Sequence, residues 1–261
     1  LDYNSISHLD SFVFNDLISL TKLSIGNNFI KVLKPFTFKN LNNLYMLWLA
    51  NNLIERIEDD ALLGLKRLNT FSLNHGNNLN YIRPVSLRGL NGCVIIDFSN
   101  QNLTHLMPFT FKYAENVIFI DLNNNSIKFI SSYAFGGLNL LGALNLDQNK
   151  LETIESNAFN GLYLLVRLNL STQNIFNLTA YSFYGLDNLE YLDLSYNKID
   201  ILKKKTFHGL NKLGLLNLDY NPIVGIDSEA FCGLNSMLYF TFSFNNLTQI
   251  NELAFDKVDS M

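Results

Sequence analysis

Apolar residues recur along this chain in one fixed phase. From residue 141 it reads LGALNLDQNKLETIESNAFNGLYLL and from 189 LEYLDLSYNKIDILKKKTFHGLNKL, both of the form LxxLxLxxNxLxxLxxxxFxxL. The asparagine slot is filled by Asn4, Asn28, Asn52, Asn77, Gln101, Asn125, Asn149, Gln173, Asn197, Asn221 and Asn245. Every step is 24 residues except Asn52 to Asn77, which is 25. Ten positions further on, Phe14, Phe38, Leu62, Leu87, Phe111, Phe135, Phe159, Phe183, Phe207, Phe231 and Phe255 form a second column. In LxL, alternate side chains point to opposite faces, so each unit opens with a short strand. Residues 22–25, 46–49, 119–122, 167–170 and 191–194 are expected strands. One unit cannot bury its apolar face alone, but stacked neighbours can. The expected fold class is therefore an α/β repeat solenoid of about eleven 24-residue units with a parallel sheet. It forms one domain over 1–261. The asparagine sits where the chain leaves the strand, and its amide can both donate and accept there.

Composition narrows the function. The 261 residues are 48% hydrophobic and 16% charged, which excludes a disordered chain. Net charge is −4, the opposite of what a general nucleic-acid binder needs, so no nucleic-acid partner is expected. No apolar run approaches the ~18 residues of a membrane span. Cys93 and Cys232 lack metal or redox spacing. Cys93 replaces an inward leucine and is expected to pack as a small hydrophobe. Cys232 follows Phe231, and a link to a flanking segment outside this sequence or to a partner is left open. His8, His75, His105 and His208 share no metal-ligand spacing, and no nucleophile motif or phosphate loop occurs. No enzyme, metal or cofactor is expected. Asp59-Asp60 and Lys203-Lys204-Lys205 read as solvated segments.

The pattern resembles the leucine-rich repeat family. Pieces such as Ala134-Phe135-Gly136-Gly137-Leu138 and the phenylalanine column are similar to its extracellular animal subclass, which includes Toll-like receptors, hormone receptors, Slit and chaoptin-like adhesion proteins. That resemblance implies a horseshoe whose concave sheet binds a protein ligand or a second leucine-rich repeat chain, in adhesion or innate immunity. Family members usually end in cysteine-clustered caps. None is present, and Leu1 and Met261 would leave open apolar ends. The chain therefore reads as an uncapped internal segment of a larger ectodomain, with membrane attachment through segments outside it left open. The expected function is non-enzymatic recognition by a receptor or adhesion protein. A structural solenoid that self-assembles is the alternative, and an intracellular scaffold is disfavoured.

Five N-x-S/T sequons begin at Asn102, Asn124, Asn169, Asn177 and Asn246. Together they favour a secreted or cell-surface glycoprotein. All five asparagines are expected to be exposed, with Asn169 on the concave strand. Recognition should use strand positions not committed to the core. Acids (Asp97, Asp121, Asp147, Asp193, Asp219) outnumber Lys22 and Arg167 there. Trp48, Phe119, Tyr191, Tyr196, Tyr220 and Tyr239 supply aromatic surface, the currency of interface hot spots. The candidate ligand-binding set is Trp48, Asp97, Phe119, Asp121, Tyr191, Asp193, Tyr196, Asp219, Tyr220 and Tyr239. Its C-terminal members are expected to form one concave patch. Asn74, His75, Gly76 and Asn77 span the extra residue, which either bulges the turn or is a neutral slip.

Overall fold

The computed structural model describes residues 1–256 and residue 258; the open end assigned to Met261 lies outside the described residues. Ten short parallel strands, from Lys22–Ser24 to Tyr239–Thr241, form one sheet in strict chain order. The register steps by one unit each time: Leu23 lies opposite Leu47, and Leu168 opposite Leu192. The first asparagine slot, Asn4, has no strand because its strand segment would precede Leu1. Each strand of this sheet is three residues long.

The inward leucines and isoleucines of all units fuse into one continuous core. The phenylalanines line its opposite side. Successive rings stack in parallel, with centroids 6.0 Å apart at Phe14–Phe38, 5.8 Å at Phe111–Phe135 and 6.1 Å at Phe183–Phe207. Neighbouring strands lie only ~4.8 Å apart. A stack of units wider at the ring side than at the strand side must curve, with the sheet on the inside.

The helical part of the expected α/β class is nearly absent. Among the described residues the only helix is a 3-10 turn, Pro84–Leu87. Elsewhere the outer segment makes single turns, such as Leu162 N–H to the Phe159 carbonyl. Two facts prevent a helix. A 24-residue unit must return to the sheet at once, and residues such as Tyr133, Asn157 and Lys205 adopt positive φ just before the phenylalanine. Short two-residue pairs, Val32–Leu33 with Arg56–Ile57 among them, tie the outer side together in places.

The asparagine slot forms the expected ladder. Asn149 Nδ2 donates to the Leu122 carbonyl of the preceding unit and to its own unit's Leu146, while Oδ1 accepts from Ile127 N–H. The same pattern recurs at Asn52, Asn125, Asn197 and Asn221. Gln173 fits it, its Oε1 accepting from Leu151 N–H. Gln101 does not: its Nε2 reaches Leu73 O, but its buried Oε1 has no partner.

This break lies next to the extra residue. The other units pass through one left-handed residue at the turn, such as Asn51 or Asn124, whereas His75 and Gly76 are left-handed in succession. Gly76 also lies so close to the preceding unit that a Cβ would sit 2.7 Å from Asn51 Cα, so no other residue fits. The phenylalanine column is interrupted at the same place, by Leu62 and Leu87. The insertion is thus a bulged turn inside a locally irregular stretch.

Candidate functional site

The concave acids are held by their own sheet. Asp97 Oδ1 accepts from the backbone N–H and hydroxyl of Ser99. Asp121, Asn145, Asn169, Asp193 and Asn217 each accept the N–H two residues ahead in the same way. A short side-chain acceptor thereby closes the turn leaving each of these six strands. Asp193 is only 9% exposed, and its second oxygen accepts from Tyr191 Oη and Asn217 Nδ2. Asp97 and Asp121 are direct neighbours in register. Burial, with the Asp97 charge beside it, pushes the Asp121 carboxyl above the usual range. Asp219 differs: it is half-buried, and one of its oxygens accepts Ser243 N–H.

The aromatic candidates divide into separate groups. Tyr191 and the 61%-exposed Tyr239 lie on the concave strands. They border a shallow groove of about 500 Å³ lined also by Arg167, Glu190, Leu215 and Leu238. Burial and the neighbouring Asp193 raise the Tyr191 hydroxyl pKa. Tyr196 and Tyr220 are not on the strands. They occupy the turn three residues beyond, at the left-handed position, with φ of 53° and 56°. Phe244, at φ 59°, continues the column. The three rings stack in parallel at 4.3 and 4.2 Å. They are 53%, 40% and 71% exposed. The expected single concave patch is therefore two surfaces, a concave groove and an aromatic ladder along the adjacent flank. Phe244 was not among the sequence candidates. Reading the column one residue before the asparagine slot would have found it.

Trp48 and Phe119 are half-buried on earlier strands. Trp48 lies six strands from Tyr191, ~29 Å at the usual spacing, and does not join the C-terminal groups. Three sequon asparagines, Asn102, Asn124 and Asn246, are exposed, whereas Asn169 and Asn177 are only half-exposed, the first held by Ser171 and the second by Lys203.

Several of the remaining charged groups pair across units. Asp59 and Asp60 pair with Arg83 and Arg88 of the next unit rather than lying free in solvent. Lys204 pairs with Glu229. Cys93 is buried, and burial pushes its thiol up to about 12. Cys232 is a half-buried free thiol. Among the described residues, no cluster of His, Cys, Asp or Glu is arranged to hold a metal, and no helix is long and apolar enough to cross a membrane.

The family profile described as leucine rich repeat matches residues 1–53, 18–79, 94–151, 120–175 and 163–223. Similar solved structures include the TLR13–ssRNA13 complex, 26% identical with a TM-score of 0.86 over 94% of this chain. The Toll–Spatzle complex of Drosophila is 19% identical with a TM-score of 0.86 over 98%. The octameric complex of Latrophilin 3, Unc5D and FLRT2, the last through its leucine-rich repeats, is 21% identical with a TM-score of 0.71 over 83%. The chain spans 38% and 36% of the length of the first two and 66% of the third. No curated protein matches it.

Proposed function

The chain belongs to the leucine-rich repeat family, and from that premise we propose that it is a non-enzymatic, extracellular recognition module of a receptor or adhesion protein. It binds a protein ligand with its C-terminal half. The observation that carries this reading is the ladder Tyr196–Tyr220–Phe244. Bulky side chains rarely occupy the left-handed region, at a cost of roughly 1–2 kcal/mol per residue. Stacked left-handed pairs recur on the outer side at Phe12–Phe36 and Phe109–Tyr133, but here three rings follow in succession at the closer spacing of 4.2–4.3 Å, a continuous exposed apolar strip. Tyrosine offers apolar area with a hydrogen-bonding tip, the chemistry of interface anchors. Asp219 adds negative charge beside the rings, which suits a partner presenting lysine or arginine there, while the groove itself carries Arg167 and Lys212 against Glu190.

One similar structure contains RNA and others contain proteins. The net charge of −4 supports a protein here. Photo-crosslinking amino acids placed at 220 and 239, with Tyr181 in the turn before Phe183 as control, test the reading on protein recovered from its own source. Crosslinks to a protein from 220 or 239 but not from 181 are expected. Nuclease-sensitive adducts would move the reading to nucleic acid. Adducts only between copies of this chain would favour the self-assembling solenoid.

A further inference from the structure

A different charged surface lies on the flank where each unit returns to the sheet, opposite the aromatic ladder. Eleven positions after the asparagine slot, successive units carry Lys39, Leu63, Arg88 and Lys112, and no later unit carries lysine or arginine there. The three cations are exposed. Lys39 Nζ lies 5.4 and 5.3 Å from the Phe12 and Phe36 ring centroids, and Arg88 and Lys112 both lie over the Tyr113 ring. An aromatic face holds a cation in place without neutralising its charge. Arg88 is paired with Asp60 at 2.9 Å, whereas Lys39 and Lys112 have no ion-pair partner among the described residues.

Between Lys39 and Gly89 this surface opens into a groove of about 310 Å³. Leu63 and Leu65 give it apolar surface, and Lys39, Lys66, Asn42 and Asn91 stand around it as donors. Among the described residues, the Lys66 ammonium and the side-chain amides of Asn42 and Asn91 have no hydrogen-bond or ion-pair partner. No acid lines the groove. Asp16 and Glu115, the acids at equivalent positions, lie one unit beyond it on either side. The backbone of Gly89 forms part of its wall, at φ 110°, where a Cβ would sit 2.2 Å from Leu62 O. Gly89 follows Leu87 by two residues, in the stretch where leucines interrupt the phenylalanine column. Gly161 and Gly209, two residues after phenylalanines, meet nothing within 4 Å. The groove therefore sits where thinner spacers let the units close up, on a wall that a side chain at 89 cannot cover.

We propose that this groove binds a sulfated polysaccharide. Such a chain offers sulfate and carboxylate oxygens, hydroxyls and an apolar C–H face on every sugar. The anions pair with Lys39 and Lys66 through charge-assisted hydrogen bonds. The hydroxyls exchange hydrogen bonds with the Asn42 and Asn91 amides. The C–H face lies on Leu63 and Leu65. Neighbouring strands are ~4.8 Å apart, so the polysaccharide continues unit by unit along the column to Arg88 and Lys112. No aromatic side chain lines the groove, so the bases of a nucleic acid have nothing to stack on there. The site lies in the N-terminal half, apart from the surface proposed above, and its test does not involve that surface.

The test is binding of the full chain to a fluorescent heparin oligosaccharide over a salt series, with desulfated heparin and a single-stranded RNA as competitors. The heparin probe should bind at physiological salt, and neither competitor should displace it. Lys39→Gln with Lys66→Gln should weaken binding at least ~10-fold and flatten the slope of log affinity on log salt by about two, one for each ammonium removed. Asn42→Asp removes no cation and should also weaken binding, by roughly tenfold, through repulsion of the sulfates. Lys203→Gln with Lys205→Gln removes the same charge six units away, well beyond a Debye length, and should leave affinity within about twofold. All variants should melt like the parent. A parent that does not bind the probe overturns the site, as does an equal loss in the Lys203 and Lys205 variant. Parent-like binding in Asn42→Asp overturns the groove as the place of contact. RNA that competes as well as heparin overturns the assignment to a sugar.

Discussion

Replacing Asn149 with alanine isolates what the asparagine ladder contributes. Asn149 is 6% exposed and makes four hydrogen bonds. All three carbonyls it serves keep another donor: Leu122 O still receives Asn125 Nδ2, Leu146 O still receives Gln173 Nε2 and Asp147 O still receives Asn124 N–H. Ile127 N–H, buried, loses its only acceptor. An orphaned buried donor costs about 1–3 kcal/mol, and each weakened carbonyl about 0.5 kcal/mol more, so Asn149→Ala should cost about 2–4 kcal/mol. Gln101→Ala orphans no donor, because Oε1 accepts nothing, and Leu73 O keeps Asn77 Nδ2. Its cost should stay near 1 kcal/mol. Urea unfolding of both variants, with slopes checked for constancy, measures the difference. Hydrogen exchange at the Ile127 amide adds a local readout, which should lose protection only in Asn149→Ala. Equal costs within 0.5 kcal/mol, or an Ile127 amide still protected, would refute the reasoning.

Phe159→Ala removes a fully enclosed ring of the outer column and should cost about 3–5 kcal/mol by chemical denaturation; below 1 kcal/mol the column is not packed as described. Cys93 should resist thiol reagents at pH 8, where its raised pKa of about 12 leaves almost no thiolate, so native protein takes up one label at Cys232 and a second only on unfolding. The Asp121 carboxyl is raised in the folded state, so its contribution is fullest below the unfolded carboxylate pKa and is lost as pH rises through the folded value. Asp121→Asn should therefore raise Tm at pH 7 relative to the parent and lose that advantage at pH 3.

The repeating frame was written in the sequence. A 24-residue period, leucines at alternate strand positions and one amide per unit leave a single way to bury the apolar face, because every unit solves the same local problem. Strand positions, the ladder and the buried phenylalanine column followed directly, each strand one residue shorter than its pattern. Gly76 also has a local cause, since two left-handed residues in succession need one without a Cβ. What the sequence left undecided depends on the neighbour one unit away. Asp193 looks like a surface charge on paper. Only the packed sheet shows that Ser195, Tyr191 and Asn217 surround it. Tyr196 and Tyr220 looked like concave residues until the turn geometry rotated them onto the flank beside Phe244. Gln101 and Gln173 are the same residue in the same slot, yet one amide oxygen finds Leu151 N–H and the other finds nothing. The stacking of each unit on its neighbour decides which, and no residue-by-residue pattern records that.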